Sequence, residues 1–128
     1  MAASKYGVEA IIDISGCSTE KFTRAGIGEF ILELCARIDM TPALETFFWD
    51  EENGGATDEP HLKGTSAFRF IETSNIVVHT LEIYRAIFLN IFSCKSFDPE
   101  RVRAYVIEYF DARDVSVTMV ERSFHEDL

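Results

Sequence analysis

The chain has 128 residues, 47% of them hydrophobic and 27% charged, the size and balance of one globular domain over residues 1–128. Its 22 acidic side chains outnumber 12 basic ones, for a formal net charge of -10. That excess argues against partners such as nucleic acid or an anionic membrane surface, both of which require clustered Lys and Arg.

No apolar run is long enough to span a bilayer, and the opening Met-Ala-Ala-Ser-Lys-Tyr lacks the apolar core of a secretory signal. Cys17, Cys35 and Cys94 are too few and too scattered for a disulfide framework or a zinc site. Free thiols in a reducing, cytoplasmic compartment are the expectation.

In chain order, Gly7 to Ile14 is an apolar stretch bounded by the turn-like Ser15-Gly16 and predicts a strand. From about Thr19 to Asp39 the period changes. Ile27, Ile31, Leu34 and Ile38 recur at helical spacing with Glu29, Glu33 and Arg37 off that stripe, while Gly26 and Gly28 weaken the first turns. Pro42 blocks continuation, and Leu44 to Trp49 predicts a second strand. Asp50 to Lys63, rich in Asp, Glu, Asn, Gly and Pro, is the one clear loop.

Thr65 to Ile71, Ile76 to Thr80 and Ala86 to Ser93 are dense in Phe, Ile and Val and predict three further strands. Asp98-Pro99 is an N-cap with proline at the first helical position, and Val102, Tyr105, Val106 and Tyr109 form one apolar face of a second helix. Val115 to Val120 alternates as a final strand, and Ser123 to Leu128 is expected to be a frayed polar tail. Adjacent strands without intervening helices favour an antiparallel sheet. The fold class is therefore α+β: a two-layer sandwich with both helices packed on one face. The other face meets solvent or a second sheet.

A glycine-rich phosphate loop, a dinucleotide fingerprint and a two-cysteine zinc pair are all missing, and His61, His79 and His125 are spaced badly for a metal. Polar residues interrupt apolar strands in one region, from Gly64 through Ser66, Ser74 and His79-Thr80 to Phe92-Ser93-Cys94. Hydroxyl, imidazole and thiol converging in one sheet can supply a nucleophile, a base and a proton donor. Singly, each has an ordinary structural reading: a hydrogen-bonded histidine, a small apolar cysteine, a turn serine.

Taken together, these residues resemble the S-adenosylmethionine decarboxylases in their short prokaryotic form, from the Gly7-to-Cys17 segment to the last strand. The family's reactive set is a serine, a histidine five residues on and a cysteine fifteen residues after that, matched here by Ser74, His79 and Cys94. The resemblance implies a self-processing enzyme. Ser74 attacks the carbonyl of Thr73, the amide becomes an ester, and β-elimination breaks the chain, with His79 removing the Ser74 Cα proton and Ser66 assisting. The cofactor implied is a pyruvoyl group generated from Ser74, with no metal and no pyridoxal phosphate. It forms a Schiff base with the substrate amine and serves as electron sink. Cys94 matches the proton donor to the substrate α-carbon. Such cleavage needs an oriented nucleophile and local strain at residues 73 and 74.

The implied reaction is decarboxylation of S-adenosylmethionine for spermidine synthesis, in a homodimer. Flanking residues depart from the family pattern. Thr73 and Asn75 stand where glutamate and histidine are usual, with Glu72 one residue early, and Glu9 replaces an early histidine. The family's His-Thr-x-Pro-Glu reads His79-Thr80-Leu81-Glu82-Ile83, without the proline and with the acid shifted by one. These changes surround the substrate side and leave alternatives open: the same machinery acting on arginine or ornithine, or a non-processing binding or regulatory relative. Whether Glu9 or Glu82 contacts the substrate is left open too. Phe47, Phe48 and Trp49 offer stacking surfaces for an adenine and equally fit core packing.

Overall fold

The first strand is longer than its sequence pattern predicts. In the computed structural model, which describes residues 3–53 and 58–128, β1 runs from Ala3 to Ser15. It is followed by α1 (Arg24–Arg37), β2 (Pro42–Trp49), β3 (Ser66–Ile71), β4 (Ser74–Leu81), β5 (Ala86–Ser93), α2 (Pro99–Phe110) and β6 (Asp114–His125). A short 3-10 turn, Glu51–Asn53, opens the expected loop, of which residues 54–57 lie outside the described residues.

Both helices begin where side chains cap them. Thr23 accepts from the Gly26 N–H at 3.0 Å, so α1 starts five residues later than about Thr19 and the weakening glycine becomes the capped position. Asp98 accepts from the Glu100 N–H at 2.9 Å, with Pro99 in the first turn as predicted.

All strand pairs are antiparallel, in the order β2-β3-β4-β5-β1-β6, so β1 is inserted between β5 and β6. One sheet face carries Ala10, Ile12, Ile14, Ile76, Val78, Ile87, Leu89 and Ile91, all buried beneath the helices. Ile27, Ile31, Leu34 and Ile38 of the predicted stripe join that core, as do Val102, Tyr105 and Val106. Phe30 was not on the stripe, yet it is fully buried, its ring 4.8 Å from Phe110 and 5.4 Å from Tyr105.

The frayed tail is corrected. Residues 123–125 complete β6, with Ser123, Phe124 and His125 in register with Lys5, Ser4 and Ala3. The extra length of β1 supplies the hydrogen-bonding partner that the tail's polar composition concealed.

Among the described residues nothing covers the second face of the sheet. Register places Trp49, Ser66, His79, Phe88 and Asp13 in one row across it. Phe47, Phe68, Val77, Asn90 and Ile11 form the next row. Trp49 is 59% exposed and Phe70 46%, well above what a core-facing strand residue shows. Among the described residues no helix is long and apolar enough to cross a membrane.

Candidate active site

The hairpin of β3 and β4 carries the candidate residues at its two ends. At the open end, Ser66 pairs in register with His79, and His79 Nδ1 lies 2.9 Å from Ser66 Oγ. A clamp below fixes that register: the buried Thr80 hydroxyl accepts from the Thr65 N–H at 2.9 Å and lies 3.2 Å from the Thr65 carbonyl. A side chain on Gly64 would collide with the Thr80 carbonyl, its Cβ only 1.7 Å away, so only glycine allows this approach.

At the closed end, Ile71 pairs with Ser74 around Glu72 and Thr73, and Ser74 also faces Ser93 on β5. The turn is held from both sides. Glu72 N–H donates to the Thr41 carbonyl at 2.9 Å, and the Thr73 carbonyl accepts from the Cys94 N–H at 3.1 Å. Asn75 Nδ2 donates to Ser74 Oγ at 3.2 Å. Ser74 has φ 159°, close to fully extended, so the expected strain is not found in that angle.

Cys94 follows the last residue of β5 and its thiol is exposed, unlike Cys17 and Cys35. Burial raises the Cys35 thiol and pushes that of Cys17 up to about 11. Next to Cys94, Lys95 Nζ donates to Asp39 Oδ2 at 2.9 Å and to the Asp39 carbonyl at 2.6 Å, anchoring the chain beyond the strand. The hydrogen bond from Lys95 holds the Asp39 carboxyl below the usual carboxylate range.

The two ends are not brought together within one chain. His79 lies five residues along β4 from Ser74, roughly 16 Å at the rise of an extended strand. Strand alternation also puts Ser74 in register with the helix-side residues and His79 on the open face. Ser74, Thr73 and Cys94 thus form one cluster, and Ser66 and His79 another.

Beside the Ser66–His79 pair is an apolar cleft of about 150 Å³ lined by Phe47, Trp49, Phe68 and Val77 among others. Phe47 and Phe68 stack at 5.1 Å there, whereas Phe48 turns to the other side and packs against the core. Glu9 is on the open face, accepting from Asn90 Nδ2 at 3.1 Å and Arg122 Nη1 at 2.6 Å. Glu82 lines a different cleft with Arg24, Asp50 and Lys63. Among the described residues no three His, Cys, Asp or Glu are grouped to hold a metal. Sequence reading gave Ser93 no role beside Ser74; the shared register of β4 and β5 that pairs them is visible only in the fold.

The antiparallel sheet layered with two helices carries Ser74 at a hairpin turn, with the Cys94 N–H on the neighbouring Thr73 carbonyl; by its family the chain is a decarboxylase. The family model described as S-adenosylmethionine decarboxylase matches residues 8–123, and the chain belongs to that family. Two S-adenosylmethionine decarboxylase proenzymes, from two type A strains of Clostridium botulinum, are each 29% identical over 120 residues, covering 92% of this chain and 96% of theirs. The crystal structure of the adenosylmethionine decarboxylase from Aquifex aeolicus superposes with a TM-score of 0.73 at 18% identity, covering 98% of each chain. That likeness supports the same α+β fold.

Proposed function

We propose that this chain is a self-processing proenzyme that cleaves itself between Thr73 and Ser74 and then decarboxylates S-adenosylmethionine for spermidine synthesis. The observation that carries the reading is the hydrogen bond from the Cys94 N–H to the Thr73 carbonyl, with the exposed Cys94 thiol on the same residue. That N–H polarises the carbonyl and stabilises the oxyanion formed when Ser74 Oγ adds to its carbon. The C–N bond breaks and the Thr73 acyl group passes from nitrogen to oxygen. Loss of the Ser74 Cα proton then breaks the Cβ–Oγ bond and releases Thr73 as a carboxylate. Hydrolysis of the remaining dehydroalanine end releases ammonia.

The residues present fit a pyruvoyl group, because its precursor hydroxyl starts β4 beside a thiol able to donate a proton. At position 74 that group supplies a carbonyl that takes the substrate amine and withdraws the electrons left by carbon dioxide. Cys94 delivers the proton to the substrate α-carbon. The family match favours S-adenosylmethionine over arginine or ornithine. The aromatic cleft of Phe47, Trp49 and Phe68 suits an adenine face, and the net negative charge attracts a sulfonium.

A base for the Cα proton must come from another copy, since His79 of the same chain is too far along the strand. Stacking two open faces about a two-fold axis buries the exposed Trp49, Phe68 and Phe88. In the proposed pair the Ser66–His79 end of one sheet lies over the Ser74 backbone of the other, whose side chain points to the helix side. With Nδ1–H donated to Ser66 Oγ, Nε2 keeps the free lone pair a base needs. The homodimer is thus part of the proposal.

Intact mass under denaturing conditions tests it. Two fragments, residues 1–73 and 74–128 with a blocked end on the second, are expected, with carbon dioxide released from S-adenosylmethionine. A single whole chain after long incubation overturns the self-processing reading in favour of a binding or regulatory relative.

A further inference from the structure

The residue before Cys94 is held in an unusual way for a strand end. Ser93 is fully buried, and its Oγ accepts from the Lys95 N–H at 3.0 Å. The Ser93 hydroxyl donates to Thr73 Oγ1 at 2.8 Å, its nearer acceptor, with Met40 Sδ at 3.7 Å the more distant one. Thr73 Oγ1 in turn donates to Met40 Sδ at 3.4 Å. Lys95, Ser93 and Thr73 thus form a connected set of hydrogen bonds that ends on Met40 Sδ and satisfies both hydroxyls.

We propose that Ser93 is a positioning residue for self-cleavage: its hydroxyl holds the Thr73 side chain so that the Thr73 carbonyl stays under the Cys94 N–H. The proposal rests on the self-processing reading above and deepens it. Thr73 is anchored twice by consecutive residues at the end of β5, through its side chain by Ser93 and through its carbonyl by Cys94, the residue just beyond the strand. Two anchors fix the plane of the scissile peptide, which one does not. With the side-chain anchor removed, the carbonyl can rotate out of the N–H and toward water, and the carbon attacked by Ser74 Oγ loses its polarisation.

The test has two arms. In the cleavable chain, Ser93→Ala and Thr73→Val are each expected to slow cleavage roughly tenfold, the worth of one neutral hydrogen bond. The double variant is then no slower than either alone, while Thr73→Ser and Ser93→Thr restore the rate. In the uncleavable Ser74→Ala chain, exchange of the Cys94 amide proton, followed by NMR, rises by a similar factor with Ser93→Ala and returns with Ser93→Thr. A purely structural serine lowers the melting temperature of Ser93→Ala but leaves cleavage and Cys94 exchange as they were, and that result overturns the proposal. If the parent chain never cleaves, self-processing falls on its own. The Cys94 exchange arm still decides Ser93: a rise upholds its positioning of the carbonyl, and no change refutes it.

Discussion

His79 Nδ1 and Ser66 Oγ face each other 2.9 Å apart on the open side of the sheet, at the end of the hairpin remote from Ser74. In the proposed mechanism a base so placed serves a Cα proton only across a subunit boundary. Chains carrying His79→Ala or Ser74→Ala alone should each stay whole. Expressed together, the Ser74→Ala chain lends its histidine, and a fraction of the His79→Ala chains should appear as fragments on a denaturing gel. No fragments from the mixture means that the site is not shared.

In the proposed mechanism Cys94 contributes a backbone N–H and a thiol to different stages. Cys94→Ala keeps the N–H that meets the Thr73 carbonyl, so cleavage should proceed. Turnover should drop by on the order of a hundredfold or more, the usual worth of a positioned general acid. Release of labelled carbon dioxide measures it, and unchanged turnover removes the thiol from its role.

Two glycines should respond in opposite directions. A Cβ on Gly7 would lie 2.2 Å from the Ser93 carbonyl oxygen and 2.7 Å from Cys94 Cα, pushing away the strand end that carries both anchors. Gly7→Ala should cost about 1–3 kcal/mol in thermal unfolding and slow cleavage as well. In α1, a Cβ on Gly28 would meet only the Phe48 ring at 3.7 Å. Gly28→Ala should therefore stabilise by about 0.5–1 kcal/mol. Equal effects from the two variants would contradict this packing.

Of the thiols, Cys94 alone should react with iodoacetamide in the native protein near pH 8, as counted by mass spectrometry. Cys17 is fully buried and its thiol is pushed up to about 11, so it is unreactive until the chain unfolds. Because its folded pKa exceeds the unfolded one, its contribution to stability is complete below the ordinary thiol range. It is lost as pH rises toward 11. Urea midpoints measured on a Cys17→Ser background should lose part of that alkaline decline; an identical decline assigns it elsewhere.

The sequence made the elements legible wherever period and punctuation agreed. Ile27, Ile31 and Leu34 marked the buried face of α1, and Asp98-Pro99 marked the start of α2. Ends set by pairing were less visible. Nothing in the polar run Ser123 to His125 announces a strand, because its stability comes from the ladder with Ala3 to Lys5. Spacing picked out Ser74, His79 and Cys94, but spacing along a chain says nothing of which side of a pleat each residue occupies. The separation of Ser66 and His79 from Ser74, and the seat of Ser93 beside Thr73, are properties of register.

The insertion of β1 between β5 and β6 governs what the proposed scission would leave behind. A cut after Thr73 puts β1, α1, β2 and β3 on one polypeptide and β4, β5, α2 and β6 on the other. Their strands interleave, so the pieces are joined by the ladders β3–β4, β5–β1 and β1–β6. Neither piece can depart as a folded body. The nicked protein should migrate as one particle under native conditions, yet its melting should become concentration-dependent within each pair of fragments, since unfolding now releases two molecules. The uncut chain reassembles by closing a short turn. The nicked one must find its complement in solution, so maturation commits each molecule to a fold that it enters only once.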